Sequence, residues 1–197
     1  DMVADLAMVF MKWFGSYDTF AAPSQLALGV LYSKDLWLHV EFLTLMQALE
    51  GFHRATAPAS KEKITLRTRL DTLAMRLPLP LRQNILGSDD GLAPQSWIHT
   101  RNYYTHWNEA YRKSMLDGVG MHRAGVRMKH FLRALYLDMA GIPHPSIIKS
   151  LGNACSESQY LIQLNGIEHR KKNPGSQSGA IMHISVSDAG NSDESVS

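Results

Sequence analysis

Cysteine is nearly missing from this chain. Cys155 stands alone among 197 residues, which excludes an internal disulfide and a cysteine-rich zinc site and reads as a plain thiol in a reducing compartment. No run approaches the roughly 18 apolar residues that a membrane-spanning helix needs, and no charged-then-apolar secretory leader opens the chain, so the expectation is a cytoplasmic protein with no membrane partner. Strand-type alternation is scarce and no internal repeat is visible. Net charge is also low, at +2, and does not by itself demand a nucleic-acid partner. The distribution is uneven, however. Lys and Arg are absent after residue 172, where Asp188, Asp193 and Glu194 remain, so the first 172 residues carry a net +5. A mildly basic body suits a polyanion.

What is present is helical periodicity. The spacing predicts helices over residues 3–14, from Pro23 to about 32, and over 35–55. In the last of these, Leu38, Phe42, Leu45, Leu49 and Phe52 recur every three or four residues and form a core stripe. Ser60 is the expected N-cap of a fourth helix, striped by Leu66, Leu70, Leu73 and Leu77 and stopped before Pro78. A short piece at 81–86 leads into the turn-rich Gly87-Ser88-Asp89-Asp90-Gly91. A fifth long helix is predicted from Pro94 to about 116, ended by Gly118 and Gly120. A sixth, 122–140, is terminated by Gly141 and Pro143, and a short helix over 145–151 follows. The domain division is therefore 1–33 as N-terminal helices, 34–152 as an all-α bundle, 153–170 as a further short helix, and 171–197 as a disordered tail. That tail is rich in Ser, Gly and Asn and lacks aromatics, so it cannot bury enough apolar surface to offset its ordering entropy. The chain opens at Asp1 inside a predicted helix without an initiator Met, which suggests the C-terminal piece of a longer protein.

Residues 100–106 read Thr-Arg-Asn-Tyr-Tyr-Thr-His. An arginine is a permanent cation with a planar fork of donors that fits a phosphate. A histidine is the side chain that both takes and gives a proton near neutrality. At about 100° per residue Asn102 and His106 share a helix face, with Arg101 at its edge. The three can converge on one phosphodiester without a metal. On spacing alone a solvated arginine and a helix-face histidine also account for the pair, so the surrounding sequence has to decide.

That surrounding sequence supplies a second block, Phe42-Leu43-Thr44-Leu45-Met46-Gln47-Ala48-Leu49-Glu50-Gly51-Phe52-His53-Arg54. The two blocks, in this order and separation, resemble the C-terminal HEPN domain of ApeA-type proteins, a bacterial antiphage defence family. The R-x4-H spacing of Arg101 and His106 is the signature of HEPN domains, and the helix end at Gly141-Ile142 also fits. The resemblance spans roughly residues 30–150. It implies an all-α HEPN bundle that forms a homodimer, so that two motif helices build one composite cleft that cuts RNA in abortive infection. It also implies a larger N-terminal region preceding this domain. Arg101, Asn102 and His106 would be catalytic, with no cofactor and no metal. One local departure is Trp107, where the family often has a small residue. Its ring would stack on a base or narrow the cleft.

Several residues keep two readings. Gln47, Glu50 and Arg54 share a face. Glu50 and Arg54 form either a plain i,i+4 pair or part of a polar stripe in which Glu50 fixes Arg101 or His106. His53 belongs to the core edge or to the cleft. Tyr103, Tyr104, Trp107 and Tyr111 are core and dimer-interface aromatics, or one of them stacks on a base. His169-Arg170-Lys171-Lys172 is a solvated run or an RNA-capturing one. His99 and His106 lie seven apart without the Cys or acid cluster that would complete a metal site. The expected activity is metal-independent endoribonuclease action, leaving a 2′,3′-cyclic phosphate and a 5′-hydroxyl. Its rival is a non-catalytic helical dimerisation or RNA-binding module that relays a signal from the missing N-terminal region.

Overall fold

The stripe from Leu38 to Phe52 runs through the centre of the molecule. The structure, a computed structural model, describes residues 2–33, 35–57 and 63–152. The expected helix within 153–170, the tail beyond it and Ser60 lie outside those residues. Among the described residues the architecture is all-α, with no strand: α1 (Met2–Gly15), α2 (Tyr17–Tyr32), α3 (Leu38–Thr56), α4 (Leu66–Met75), α5 (Leu79–Leu86), α6 (Gln95–His106), a 3₁₀ turn (Glu109–Tyr111), α7 (Gly118–Met139) and α8 (His144–Gly152). Helix α3 packs against α2, α4, α6 and α7. Its Phe42, Leu45, Met46, Leu49 and Phe52 are wholly buried, as are Met128, Phe131 and Leu135 of α7. Burying each such side chain contributes on the order of 1.5–3 kcal/mol.

Four boundaries differ from those expected. Helix α2 starts at Tyr17 and carries Pro23 inside it, rather than opening there. The proline forfeits one helical hydrogen bond, but its ring is buried against α3. The approach is close: a methyl group on Gly51 would sit 3.2 Å from Pro23 Cβ. Phe20 and Phe52 meet beside it, ring centroids 5.1 Å apart. The glycine of the Gln47–Arg54 block thus lets α2 lie on α3. Helix α4 is capped by Thr65, whose hydroxyl accepts from the Thr68 amide.

The third difference concerns the motif helix, which ends at His106 and not near residue 116. Trp107 adopts a left-handed conformation (φ 49°), which breaks the helical ladder. The chain then turns through the 3₁₀ segment and is tied back to α6 by the Leu116 amide donating to the buried Thr100 hydroxyl at 2.8 Å. Gly118 and Gly120, expected to terminate a helix, instead open α7, with the Asp117 carboxylate accepting from the Gly120 amide at 2.7 Å. The far end of α7 closes as expected. Gly141 is left-handed (φ 81°), its amide donates to Asp138 O, and the Ile142 amide donates to Leu137 O, a Schellman closure.

Candidate active site

Helix α6 presents two faces. Trp97, Ile98, Thr100 and Tyr103 are buried, which leaves Arg101 and Asn102 half-buried and His106 exposed at the C-terminal end. The Arg101 guanidinium is the hub. Its Nη2 lies 3.1 Å from Glu50 Oε1 on α3, and its Nη1 donates to His106 Nε2 at 3.0 Å and to Asn102 Oδ1 at 3.3 Å. Arginine has donors only, so His106 Nε2 must accept. The imidazole in this arrangement is neutral and carries its proton on Nδ1. Glu50 and Arg101 retain only 14% and 22% side-chain exposure, so their attraction is less screened than that of a surface pair. Arg54 lies farther from Glu50, at 3.9 Å, and is largely exposed.

Glu50, Arg54, Arg101 and Asn102 line one side of a cleft of about 550 Å³, and His106 stands next to Arg101 outside that lining. Its other wall is the start of α4 and the residues before it, which add Lys63, Thr65, Arg67 and Arg69. None of those four was singled out from sequence. The available signal was weak: Arg67 and Arg69 flank the leucine stripe of α4, a position that solvated arginines also occupy. Arg67 is engaged by Asp71 at 2.7 Å and donates to the Ala93 carbonyl at 3.1 Å. Arg69 Nη1 lies 3.1 Å from His53 Nδ1. His53, on α3, is therefore a buried partner of Arg69 and is not among the residues that line the cleft. Burial first, then the Arg69 and Arg54 charges, hold its pKa below the ordinary histidine value. It is a neutral acceptor for Arg69.

The remaining candidates sit on the other side of α6. Tyr104 stacks on His39 of α3, centroids 5.7 Å apart. Tyr103 meets Tyr104 edge-on at 5.2 Å and stacks on Trp107 at 5.4 Å. Trp37 extends the series to His39 at 6.4 Å. Both terminal indoles are open to solvent, Trp37 at 77% and Trp107 at 67% exposure. Tyr104 and Trp107 therefore flank the Arg101–His106 cluster without entering the cleft. His99 stacks on Tyr111 at 5.0 Å, apart from His106. No group of three or more His, Cys, Asp or Glu side chains among the described residues is arranged to hold a metal ion. Among those residues, too, no helix is long and apolar enough to cross a membrane.

A neutral imidazole, a fixed guanidinium and a carboxylate behind it form a set that can grip a phosphodiester and exchange a proton with it. A family model described as Apea-like HEPN matches residues 43–145, a span that takes in the first sequence block from Leu43 onward, the whole of the second, and the Schellman closure of α7. Searches of the curated proteins and of the solved structures returned no match.

Proposed function

Since this chain belongs to the Apea-like HEPN family, we propose that it is a metal-independent endoribonuclease acting in bacterial antiphage defence by abortive infection. The observation that carries the reading is the contact of Arg101 with His106, 3.0 Å, with Glu50 behind the guanidinium. A scissile phosphate entering the cleft competes for the Arg101 donors. As Arg101 turns to the phosphate, the Nε2 lone pair of His106 is released to act as base. The 2′-hydroxyl then attacks phosphorus, its proton passes to a histidine, the P–O5′ bond breaks, and a second proton is delivered to the O5′ leaving group. The products are a 2′,3′-cyclic phosphate and a 5′-hydroxyl. Arg101 offsets the charge that builds on the non-bridging oxygens, Glu50 fixes Arg101, and Asn102 holds the guanidinium in register.

One motif copy supplies one histidine, whereas the reaction uses a proton acceptor and a proton donor. A homodimer that juxtaposes two α6 helices provides both. The exposed indoles of Trp107, next to His106 in the chain, and of Trp37 support such a contact, because aromatics are enriched at interface cores. RNA is the substrate in this reading, and a larger N-terminal region of the same protein would supply the trigger. The test is incubation of the purified chain with RNA in EDTA, with chemical identification of the ends, for wild type and His106→Ala. Cyclic phosphate ends from wild type alone are expected. Full cleavage by His106→Ala would sink the assignment. Salt-dependent RNA binding without any cleavage would leave the relay module instead. Excess Arg101→Ala protomers mixed with wild type should depress activity per wild-type chain, and a strict monomer cutting at full rate would rule out the composite site.

A further inference from the structure

Half of the polar cleft is not used by the chemistry at Arg101 and His106. Five cations line it, Arg54, Lys63, Arg67, Arg69 and Arg101, against the single carboxylate of Glu50. Glu50 is occupied by Arg101, and Arg67 is neutralised by Asp71. The unusual member is Arg69. Its partner His53 is buried and accepts at Nδ1, so the guanidinium is oriented without losing its charge. An aspartate in place of His53 would hold Arg69 as well but would cancel its field in the cleft. The low pKa of His53 keeps this partner neutral around pH 7. Arg54 stands opposite on α3, exposed and only distantly paired.

We propose that Arg69, with Arg54 and Lys63, forms a phosphate subsite that grips the backbone of single-stranded RNA next to the phosphate cut at Arg101 and His106. The inference rests on the nuclease reading above and adds where the substrate strand runs: from the end of α6 across the start of α4. A fixed, uncancelled guanidinium suits a phosphodiester oxygen through charge-assisted, bidentate hydrogen bonds. Such contacts carry affinity without base preference, and they make binding depend on salt.

The test uses the whole chain and a 2′-O-methyl RNA oligonucleotide, which can bind but cannot be cut. Arg69→Gln removes the charge yet keeps a donor for His53. It should weaken binding about tenfold and flatten the slope of log affinity against log salt by about 0.7, the share of one single-strand phosphate contact. Arg69→Lys should recover most of that slope. On cleavable RNA, Arg69→Gln should raise KM and leave kcat near wild type. Arg54→Gln, on an exposed side chain, should weaken binding in the same direction and covers the case in which the Arg69 variant fails to fold. If wild type cuts RNA and both variants bind it with unchanged affinity and slope, the subsite is overturned while the nuclease reading stands. If wild type neither binds nor cuts RNA, both fall together.

Discussion

Two cavities of similar size flank the central helix α3, and they could hardly differ more in lining. The larger, about 670 Å³, is walled by α1, α2, α7 and α8 through Phe10, Trp13, Leu28, Leu31, Leu132 and Leu151, with Lys129 and Arg133 as its charged members. The smaller, about 550 Å³, lies among α3, α4 and α6 and carries five cations, Arg54, Lys63, Arg67, Arg69 and Arg101, beside the apolar Ile64, Leu66 and Ile98. Helix α3 serves both, giving Leu45 to the first and Glu50 and Arg54 to the second. The difference teaches that volume is a poor guide to chemistry in this fold. A phosphodiester moved into the apolar groove would lose its hydration with few donors in return, a cost of several kcal/mol. In the cleft, fixed guanidinium groups replace the lost water.

Substitutions can break that contrast, beginning with the largest expected effect. His106→Ala or Arg101→Ala should lower RNA cleavage by about 10²–10⁴-fold, with the thermal melt of the exposed-site variant His106→Ala unchanged. Leu28→Ala on the groove wall should leave cleavage within about twofold. An equal loss in the groove variant would mean the two cavities are not functionally separate. Phe52→Ala strikes the helix they share. It deletes ring contacts at 5.1 Å to both Phe20 and Tyr136 and should cost about 3–5 kcal/mol in denaturant unfolding. A change under about 1 kcal/mol would show that α3 is not the common support. Glu50→Ala isolates the cleft. With Arg101 no longer pinned, cleavage should fall about 10–100-fold with little change in melting, and Glu50→Gln should lose less.

The smallest effect is on acid stability. Burial, followed by neighbouring Arg and Lys charges, lowers the pKa of His53 and of His130 below 6.5 in the folded chain. As pH falls, the unfolded chain therefore takes up these protons first. The stability contributed by the neutral imidazoles is full above about pH 6.5 and is lost as pH drops through the folded-state values. Urea midpoints measured from about pH 7.5 down to 5 should decline, and the decline should shrink in His130→Leu. A midpoint indifferent to pH over that range would contradict the burial described for both histidines.

Much of the helical layout is written in the leucine spacing, because a stripe such as Leu38 to Phe52 has no other way to bury itself. The end of α7 was equally legible, since Gly141 is the residue that a left-handed closure favours. What misled were residues whose usual role tertiary contact overrides. Pro23 reads as a helix start, yet its packing against Gly51 keeps it mid-helix. Gly118 and Gly120 read as terminators, yet the Asp117 cap makes them a beginning. Trp107 gives no hint of a left-handed backbone, so the length of α6 could not be read. At the site, Arg101, Asn102, His106 and Glu50 could be named because they lie within two recognisable blocks. Arg69 could not, since it joins them only through the packing of α4 beside α3 and α6 and through a neutral partner sixteen positions away.

The left-handed residue after His106 also bears on mutational tolerance. A bulky side chain at φ 49° carries roughly 1–3 kcal/mol of backbone strain that glycine would avoid and asparagine would reduce. The indole recovers little of it by burial, being mostly exposed and stacked on Tyr103. A saturation library at position 107 scored for folding alone should thus rank Gly and Asn above Trp. Scored for RNA cleavage, the same library should restore Trp to the top, and the gap between the two rankings would measure what that ring does beyond folding.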